Sequence, residues 1–340
     1  MTIEGTAMNH LTTSLCKLLG IDAPIIGAPI SAAPPFVAGV SNAGGLGVIQ
    51  ATWLEAEALI DTIAQVRYLT DRPFGVNFVL PLIQDQDYAN LDAALSAGVP
   101  VVSTFWGDPD PVIERIHKAD ALAFHTVGSA DEARRVVDLG VDVVVAQGLE
   151  AGGHLWGQVG GLALVPAVVD AVPDTPVIAA GGIADGRGLA AVLALGADAA
   201  WVGTRFLLAA EHQSHPLYRE RLKTARESDT VRTKVFDGGW PDAPVRCLNN
   251  ETLDAWLAAG APPPGRRPNE GEVVARYSSG EPILRYSISE PTADMTGDLN
   301  AMCLYAGQGV GLVRQEKPLA EIIDEMLSDA ARTLARLAGP

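Results

Sequence analysis

The amino-acid sequence predicts an α/β fold of the (β/α)8 TIM-barrel class, with a smaller, mainly helical insertion that forms a lid domain. From about residue 24 to residue 206, short apolar segments alternate with helical patterns at a spacing of about 25 residues, giving eight units. Polar or glycine-rich residues follow four of the predicted strands. A doubly wound open sheet is the alternative. It is disfavoured because no long break divides the strands and no G-x-G-x-x-G motif follows the first one.

The eight predicted strands are short, apolar and rich in β-branched residues, as is typical of parallel strands buried on both faces. They are expected at 24–30, 46–51, 74–80, 99–105, 121–127, 141–146, 176–180 and 199–206. Helices are expected between them at 35–44, 54–69, 88–97, 111–118, 130–139, 162–172 and 188–195. Four of these helices end at or just before a glycine, the residue that most readily takes the left-handed conformation at a helix terminus.

The alternation stops after residue 206. Residues 207–227, 252–259, 299–312 and 319–337 carry helical patterns, whereas 228–291 as a whole loses the strand-helix period. We therefore expect residues 1–210 and 292–340 to form the barrel, with its wall closed by the last helix. Residues 211–291 would form an insertion over the catalytic face, acting as a lid or substrate domain.

Composition narrows the range of partners and compartments. Across 340 residues the net charge is −17, which argues against nucleic acid and anionic membrane surfaces, since both select basic patches. Cys16, Cys247 and Cys303 lie far apart in the sequence without a C-x-x-C pair, so we expect neither a disulfide framework nor a metal site. The N-terminal residues lack a signal-peptide pattern, and no apolar stretch is long enough to span a membrane. We expect a cytoplasmic protein. The sequence does not decide whether it forms a homodimer.

Glycines lie at the carboxyl ends of the seventh and eighth strands. Gly181 and Gly182 follow the seventh strand, and Gly203 with Thr204 ends the eighth. In this fold the carboxyl ends of all strands meet at one face, and the loops after strands seven and eight commonly bind phosphate through main-chain N–H groups. The alternative is that these glycines only make tight turns.

Three polar groups gather at the end of the sixth strand, where Gln147, Glu150 and His154 lie within eight residues. Together with Asn77 on the third strand, Gln147 offers a carboxamide suited to the edge of a heterocycle, unless both are satisfied barrel-interior amides. His154 could act as a general base or electrostatic partner, or lie on a surface loop. Glu150 is expected to support the loop.

Other candidate residues carry weaker signals. Trp106 and Tyr305 could line an apolar substrate pocket or simply pack in the core. His212 and His215 have helical i, i+3 spacing, but no further ligands complete a metal site, so a helix surface is expected.

Several motifs in this order resemble those of the nitronate monooxygenase (2-nitropropane dioxygenase) family, whose members are FMN-dependent TIM barrels. The resemblance covers nearly the whole chain and is carried by residues 28–30, 41–47, 74–78, 147–154, 179–183, 202–204 and 305–309. FMN-dependent enoyl-acyl-carrier-protein reductases share almost all of these motifs, and some similar barrels reduce quinones with NADH. The resemblance is therefore more specific for the fold and for FMN than for the reaction.

The resemblance also implies residue roles. His154 matches the catalytic histidine. The positions implied in cofactor binding are Ala28, Pro29, Ile30, Asn77, Gln147, Gly152, Gly153, Gly181, Gly182, Trp201, Gly203 and Thr204. The chain departs from the family at Ile30, often Met; at Leu155, often Arg and here followed by Trp156; and at Trp201, usually polar. The changes at 155 and 201 affect the pocket edge, where Trp106, Trp156 and Tyr305 are expected to contact substrate.

The implied activity is oxidation of alkyl nitronates, and of nitroalkanes in some members, by FMN and O2 to carbonyl compounds and nitrite. One alternative is an NAD(P)H-dependent FMN reductase, similar either to an enoyl-acyl-carrier-protein reductase or to a quinone reductase. The net charge of −17 makes an acidic carrier protein a less favourable partner. A second alternative is a flavin-binding protein without turnover.

Overall fold

A computed structural model describes residues 11–83 and 88–338. Eight parallel strands form its centre: Ile25–Gly27 (β1), Gly47–Gln50 (β2), Phe74–Val79 (β3), Val101–Phe105 (β4), Leu122–Val127 (β5), Val143–Gln147 (β6), Val177–Ala180 (β8) and Ala199–Val202 (β9). A short strand, Gly153–His154 (β7), lies outside this sheet. The order is β1-β9-β8-β6-β5-β4-β3-β2. The edge strands meet through a parallel bridge between Ile26 and Leu46, so the ring is nearly closed and the predicted barrel is confirmed.

Helices alternate with the strands as predicted. Those of the barrel are Pro34–Asn42 (α2), Ala56–Leu69 (α3), Leu80–Ile83 (α4), Ala89–Ser96 (α5), Asp110–Lys118 (α6), Ala130–Asp138 (α7), Gly161–Ala171 (α8) and Gly186–Ala194 (α9), preceded by Ser14–Leu19 (α1). The final helix, Leu319–Ala338 (α12), packs against α9 and α2. It therefore covers the barrel wall where the first and last strands meet, as expected from its sequence pattern.

The barrel interior is apolar and is plugged at one end by α1. Leu15, Cys16 and Leu19 of this helix join a cluster with inward-facing residues such as Ile26 and Phe124. The Ser14 hydroxyl donates to the Asp198 carboxylate at 2.5 Å, and Asp198 directly precedes β9. The plug therefore sits at the amino-terminal end of the strands, which leaves the carboxyl-terminal end for the functional site.

The insertion, expected to be mainly helical, contains short strands as well as helices. Within 211–291 there are two α-helices, Pro216–Thr224 (α10) and Glu251–Ala258 (α11), but four strands: Thr230–Thr233 (β10), Val245–Leu248 (β11), Val273–Arg276 (β12) and Pro282–Leu284 (β13). β10 and β11 form a sheet with β7, and β12 pairs with β13 and with Thr296–Gly297 (β14). These strands are too short to show a clear alternating pattern, so they read as irregular chain.

Two segments with helical patterns are mostly not helices. Of 207–227, only α10 is an α-helix, because Pro216 starts it and the amide of Ser214 donates to the ring of His212. Of 299–312, only Leu299–Ala301 and Gln308–Leu312 form short 3-10 turns. Between these turns the chain is extended and pairs with β11, with Leu248 N donating to Leu304 O at 2.8 Å. Among the described residues, no helix has both the length and the apolar character to cross a membrane.

Candidate active site at the barrel mouth

Parallel register brings polar side chains together at the carboxyl ends of the strands. Gln50, Asn77 and Ser103 are register partners on β2, β3 and β4. Asn77 is buried, and its Nδ2 donates to the Ser103 hydroxyl at 3.1 Å. Its Oδ1 accepts no hydrogen bond from the described residues. The Asn77 side chain is therefore held in place through Nδ2, while Oδ1 remains available to a ligand.

Gln147 binds the loop that carries His154. Its Nε2 donates to the carbonyl oxygen of His154 at 3.0 Å, and its Oε1 accepts from the amide of Trp156 at 2.9 Å. On the other side, His154 pairs with Val245 of β11. The main chain at His154 is thus fixed both by the barrel and by the insertion, and Gln147 acts on the loop through both ends of its amide.

The imidazole of His154 lies against aromatic rings. It stacks on the indole of Trp240, with ring centroids 4.2 Å apart and an interplanar angle of 25°, and lies 5.7 Å from the ring of Tyr305. Its Nε2 is buried without a hydrogen-bond partner among the described residues. Burial lowers the pKa of His154 to about 3, so the ring is neutral at physiological pH.

The three predicted pocket residues do come together here. The ring of Trp106 lies 4.8 Å from that of Trp156 and 5.0 Å from that of Trp240. The Tyr305 hydroxyl donates to the carbonyl of Ile288 at 2.7 Å, which holds this ring at the wall. Sequence reasoning missed Trp240, although its Gly238-Gly239 turn in the insertion was a visible signal. Together with His154 these rings form the aromatic cluster: Trp106, Trp156, Trp240 and Tyr305.

Gly152 makes a backbone contact with the C-terminal motif. A Cβ at Gly152 would lie 2.4 Å from the amide of Gly307, and one at Gly307 would lie 2.8 Å from the amide of Gly152. Close packing of the 305–309 segment therefore already explains why residue 152 is a glycine. Gly153 differs, because its φ of 77° favours glycine while a Cβ there would meet nothing within 4 Å.

The 305–309 segment also joins the loops after β8 and β9. The amide of Gly307 donates to the Thr204 hydroxyl at 3.0 Å, and the amide of Gln308 donates to the carbonyl of Glu150 at 2.9 Å. A Cβ at Gly309 would lie 2.9 Å from the carbonyl oxygen of Gly182. The last motif of the chain thus closes one side of the barrel mouth and places three loops in a fixed arrangement.

Main-chain amides at this mouth are available to an anion. Among the main-chain hydrogen bonds of the described residues, none has Gly182, Gly203 or Thr204 as its donor. A Cβ at Gly203 would meet only the Cβ of Ala28, at 3.4 Å. Uncapped N–H groups without side-chain obstruction are what a phosphate group requires, so these residues fit a flavin phosphate. Gly181 contributes shape: its φ is 105°, and a Cβ there would lie 3.0 Å from the amide of Ala151.

The segment after β1 is fixed beside the last strand. The amide of Ala28 donates to Val202 O at 2.9 Å, and the carbonyl of Ile30, one residue beyond Pro29, lies 3.3 Å from Nε2 of His212. His212 is buried in a loop rather than on a helix surface, and burial lowers its pKa to about 4. Trp201, the register partner of Ala180, packs against the interior cluster. His215 is the N-cap of α10.

Glu150 has the supporting role expected for it. Its two carboxylate oxygens accept from the amide of Gly161 at 3.0 and 2.9 Å, at the first turn of α8. The guanidinium of Arg246 on β11 binds the neighbouring carbonyl of Leu149. Among the described residues, no group of three or more His, Cys, Asp or Glu side chains could hold a metal ion.

Comparison with known proteins agrees with this arrangement. A model of the nitronate monooxygenase family matches residues 12–329. A probable nitronate monooxygenase of Staphylococcus aureus is 36% identical over 285 residues, covering 71% of this chain and 79% of that protein. Among solved structures, FabK from Thermotoga maritima superposes with a TM-score of 0.81 at 32% identity, covering 96% of this chain and 98% of that one.

A nitroalkane oxidase from Streptomyces ansochromogenes superposes with a TM-score of 0.75 at 30% identity, covering 95% of this chain and 99% of the other. The family match spans the barrel, the insertion and the final motif, which are the parts that build the mouth. The chain therefore belongs to the nitronate monooxygenase family and is an enzyme, a flavin-dependent oxidoreductase.

Proposed function

We propose that this enzyme uses FMN and O2 to oxidise alkyl nitronates to carbonyl compounds and nitrite. The observation that carries the proposal is the buried Nε2 of His154, which has no partner among the described residues and belongs to a ring that stacks within the aromatic cluster. A buried polar atom without a partner is costly unless a ligand satisfies it. An anionic nitronate has two oxygens that accept hydrogen bonds, and its alkyl group suits the aromatic rings.

The proposed cofactor contacts follow from the groups that the fold leaves available. Gly182, Gly203 and Thr204 would bind the phosphate through main-chain amides. Asn77, Gly153, Trp201 and the segment from Ala28 through Pro29 to Ile30 would border the rest of the cofactor. Gly152, Gly181 and Gln147 would shape and position the surrounding loops. When bound, FMN supplies the capacity to accept electrons from the substrate and pass them to O2.

The electrostatics of His154 select among substrates. Because burial lowers its pKa to about 3, the ring acts as a neutral hydrogen-bond donor rather than as a cation that balances the substrate charge. A group with so low a pKa is also a weak base for removing a proton from carbon at neutral pH. We therefore propose preformed nitronates, rather than neutral nitroalkanes, as the preferred substrates. The insertion, which supplies Trp240, would act as the lid that excludes water.

The test is an anaerobic flavin-reduction screen of the purified yellow protein with ethyl nitronate, nitroethane, NADH and NADPH. The proposal expects rapid bleaching by the nitronate and slow bleaching by the other three. If NADH or NADPH bleaches the flavin and the nitronate does not, the protein is a reductase instead. If none of the four compounds bleaches the flavin, both the oxidase and the reductase activity are contradicted. His154→Ala should retain FMN and lose most nitronate turnover, whereas the control His117→Ala, on an exposed helix face, should be unaffected.

A further inference from the structure

The turn that carries Trp240 lies between β10 and β11 and has no regular secondary structure of its own. Gly239 in this turn has a φ of 110°, a conformation that favours glycine. The amide of Trp240 donates to the carbonyl of Asp237 at 3.0 Å, and the indole is buried against the imidazole of His154. The orientation of that imidazole therefore depends on the contacts that hold this turn.

Arg267, in the loop between α11 and β12, binds the residues that begin the turn. Its Nη1 donates to the Asp237 carboxylate at 2.7 Å and to the carbonyl of Val235 at 3.1 Å. Only 9% of the Arg267 side chain and 17% of the Asp237 side chain are exposed to solvent. Removing one partner of such a pair is strongly destabilising, because the other charge is left buried without compensation. The ion pair is therefore a firm constraint on the turn.

The same guanidinium group also binds the chain that faces the turn. Its central carbon lies 4.2 Å from the centroid of the Tyr286 ring, within the range of a cation–π interaction. The carbonyl of Tyr286 accepts from the amide of Gly238 at 2.9 Å, and the amide of Ile288 donates to the carbonyl of Gly238 at 3.1 Å. The Tyr286 hydroxyl donates to Pro268 O at 2.7 Å, beside Arg267 in the sequence. Arg267 thus contacts both sides of the turn that carries Trp240.

The remaining nitrogens of Arg267 are bound by a second carboxylate. Nε and Nη2 both donate to Glu270, the first at 2.9 Å, and Glu270 also accepts from the amide of Gly265 at 2.7 Å. All three guanidinium nitrogens therefore have partners, and the loop that presents them is itself held in place. The single nitrogen of a lysine could not bind both carboxylates in this forked arrangement.

We propose that Arg267 is a positioning residue of the active site. Through Asp237 and Tyr286 it fixes the turn that carries Trp240, and through Trp240 it sets the orientation of the His154 imidazole. The kinetic consequence of this inference rests on the proposed nitronate activity. No contact with substrate or cofactor is assigned to Arg267, and it takes part in no proton or electron transfer.

The size of the expected effect is limited by the residue through which Arg267 acts. If the link passes only through Trp240, loss of Arg267 cannot cost more than loss of the stack itself. Arg267→Met should therefore lower kcat/KM for ethyl nitronate by about fivefold at most, with little change in FMN affinity. In a protein that already carries Trp240→Ala, the same substitution should cause no further loss, because the ring that it positions is absent.

The kinetic experiment is a double-mutant cycle on the FMN-loaded, full-length protein. It compares kcat/KM of the wild type, Arg267→Met, Trp240→Ala and the double variant. The matched control is Arg266→Met, because Arg266 is the neighbouring, exposed arginine of the same loop. A loss in Arg267→Met that disappears in the Trp240→Ala background, with wild-type values in the control, supports the proposal. An equal loss in both backgrounds overturns it, because the effect then does not pass through Trp240.

A second measurement does not depend on the reaction. In FMN-loaded protein with isotope-labelled histidine, the ring C–H signals of His154 are assigned in NMR spectra by their absence in His154→Ala. These protons lie against an indole and report its position through the ring current. Arg267→Met should move them towards their positions in Trp240→Ala, whereas Arg266→Met should not. The signals of His125, on β5, serve as an internal reference and should stay in place.

The two measurements distinguish failure of this inference from failure of the proposed function. If nitronates are not oxidised but the His154 signals move in Arg267→Met, the proposed function fails and the positioning role stands. If the His154 signals keep their wild-type positions, the positioning role is wrong whatever the activity. Should Arg267→Met not fold, Asp237→Asn tests the same link, because it weakens the ion pair and leaves Arg267 bound to Glu270. It should give smaller changes in the same direction, and unchanged signals would again contradict the proposal.

Discussion

The imidazole of His154 stacks on the indole of Trp240 with 4.2 Å between ring centroids and 25° between ring planes. The two residues come from different parts of the chain, because His154 follows β6 of the barrel and Trp240 lies in the insertion between β10 and β11. Gln147 fixes the main chain of His154, and Trp240 fixes the plane of its ring. The insertion is therefore part of the candidate active site itself.

Removing this stack should weaken catalysis without removing the cofactor. An aromatic pair contributes on the order of 1 kcal/mol, so Trp240→Ala should lower kcat/KM for a nitronate about fivefold, through a less well oriented His154. Trp240→Phe retains an aromatic face and should lose much less. Steady-state O2 consumption checks both variants, with the FMN content measured by absorbance. Equal kcat/KM values in Trp240→Ala and Trp240→Phe would show that stacking on His154 does not contribute to catalysis.

A substitution at Gln147 distinguishes between two roles of this residue: positioning the loop that carries His154, and binding the flavin. In Gln147→Glu the carboxylate can still accept from Trp156 N, but it cannot donate to the carbonyl of His154. If Gln147 mainly positions the loop, kcat/KM should fall about tenfold to a hundredfold while the affinity for FMN changes little.

If Gln147 instead binds the flavin, as the motif resemblance implies, the main effect of the substitution should be a higher FMN dissociation constant. Titration of the apoprotein with FMN, followed by flavin fluorescence, separates the two results. Gln65→Glu is a matched control, because Gln65 is an exposed glutamine on α3, outside the barrel mouth.

The features that the sequence predicted correctly are those with a signal in neighbouring residues. The eight strands, the helices between them and the glycine-rich strand ends all have signals within a few residues, and the barrel topology then brings those ends together. This is why Trp106, which follows β4, and His154 and Trp156, which follow β6, could be expected in one region from the sequence.

What could not be predicted depended on contacts between distant residues. Nothing near Gly152 in the sequence indicates that Gly307 will pack against it, and nothing near His154 indicates Trp240. The strands of the insertion are stabilised by pairing with each other and with β7, so their short segments carry little pattern of their own.

Neighbouring glycines at 152 and 153 should respond very differently to substitution. Gly152→Ala would place a Cβ 2.4 Å from the amide of Gly307, so the 305–309 segment must move. We expect a loss of several kcal/mol in the free energy of unfolding, together with weaker FMN binding. Gly153→Ala meets no atom within 4 Å and only the penalty of a φ of 77°, about 1 kcal/mol. Urea denaturation of both variants decides this, and equal destabilisation would contradict the backbone contact.

Two buried histidines, His125 and His212, and the half-buried His154 should make the protein sensitive to acid. Burial lowers the pKa of His125 and His212 to about 4 and that of His154 to about 3. Since an unfolded histidine titrates near pH 6.5, their contribution to stability is complete above that value and is lost as pH falls towards 4. Each histidine should contribute a slope of about 1.4 kcal/mol per pH unit at most. The carboxyl group of Glu290 opposes one of them, because burial raises its pKa to about 7 and its contribution to stability is therefore lost as pH rises.

Unfolding should therefore take up about two protons net between pH 6 and pH 5, a slope near 3 kcal/mol per pH unit. Urea denaturation at a series of pH values measures this slope. His125→Gln should reduce it by about one proton whatever its effect on absolute stability, because the slope counts titrating groups rather than contacts. A slope in His125→Gln equal to that of the wild type would mean that His125 is not held neutral in the folded protein.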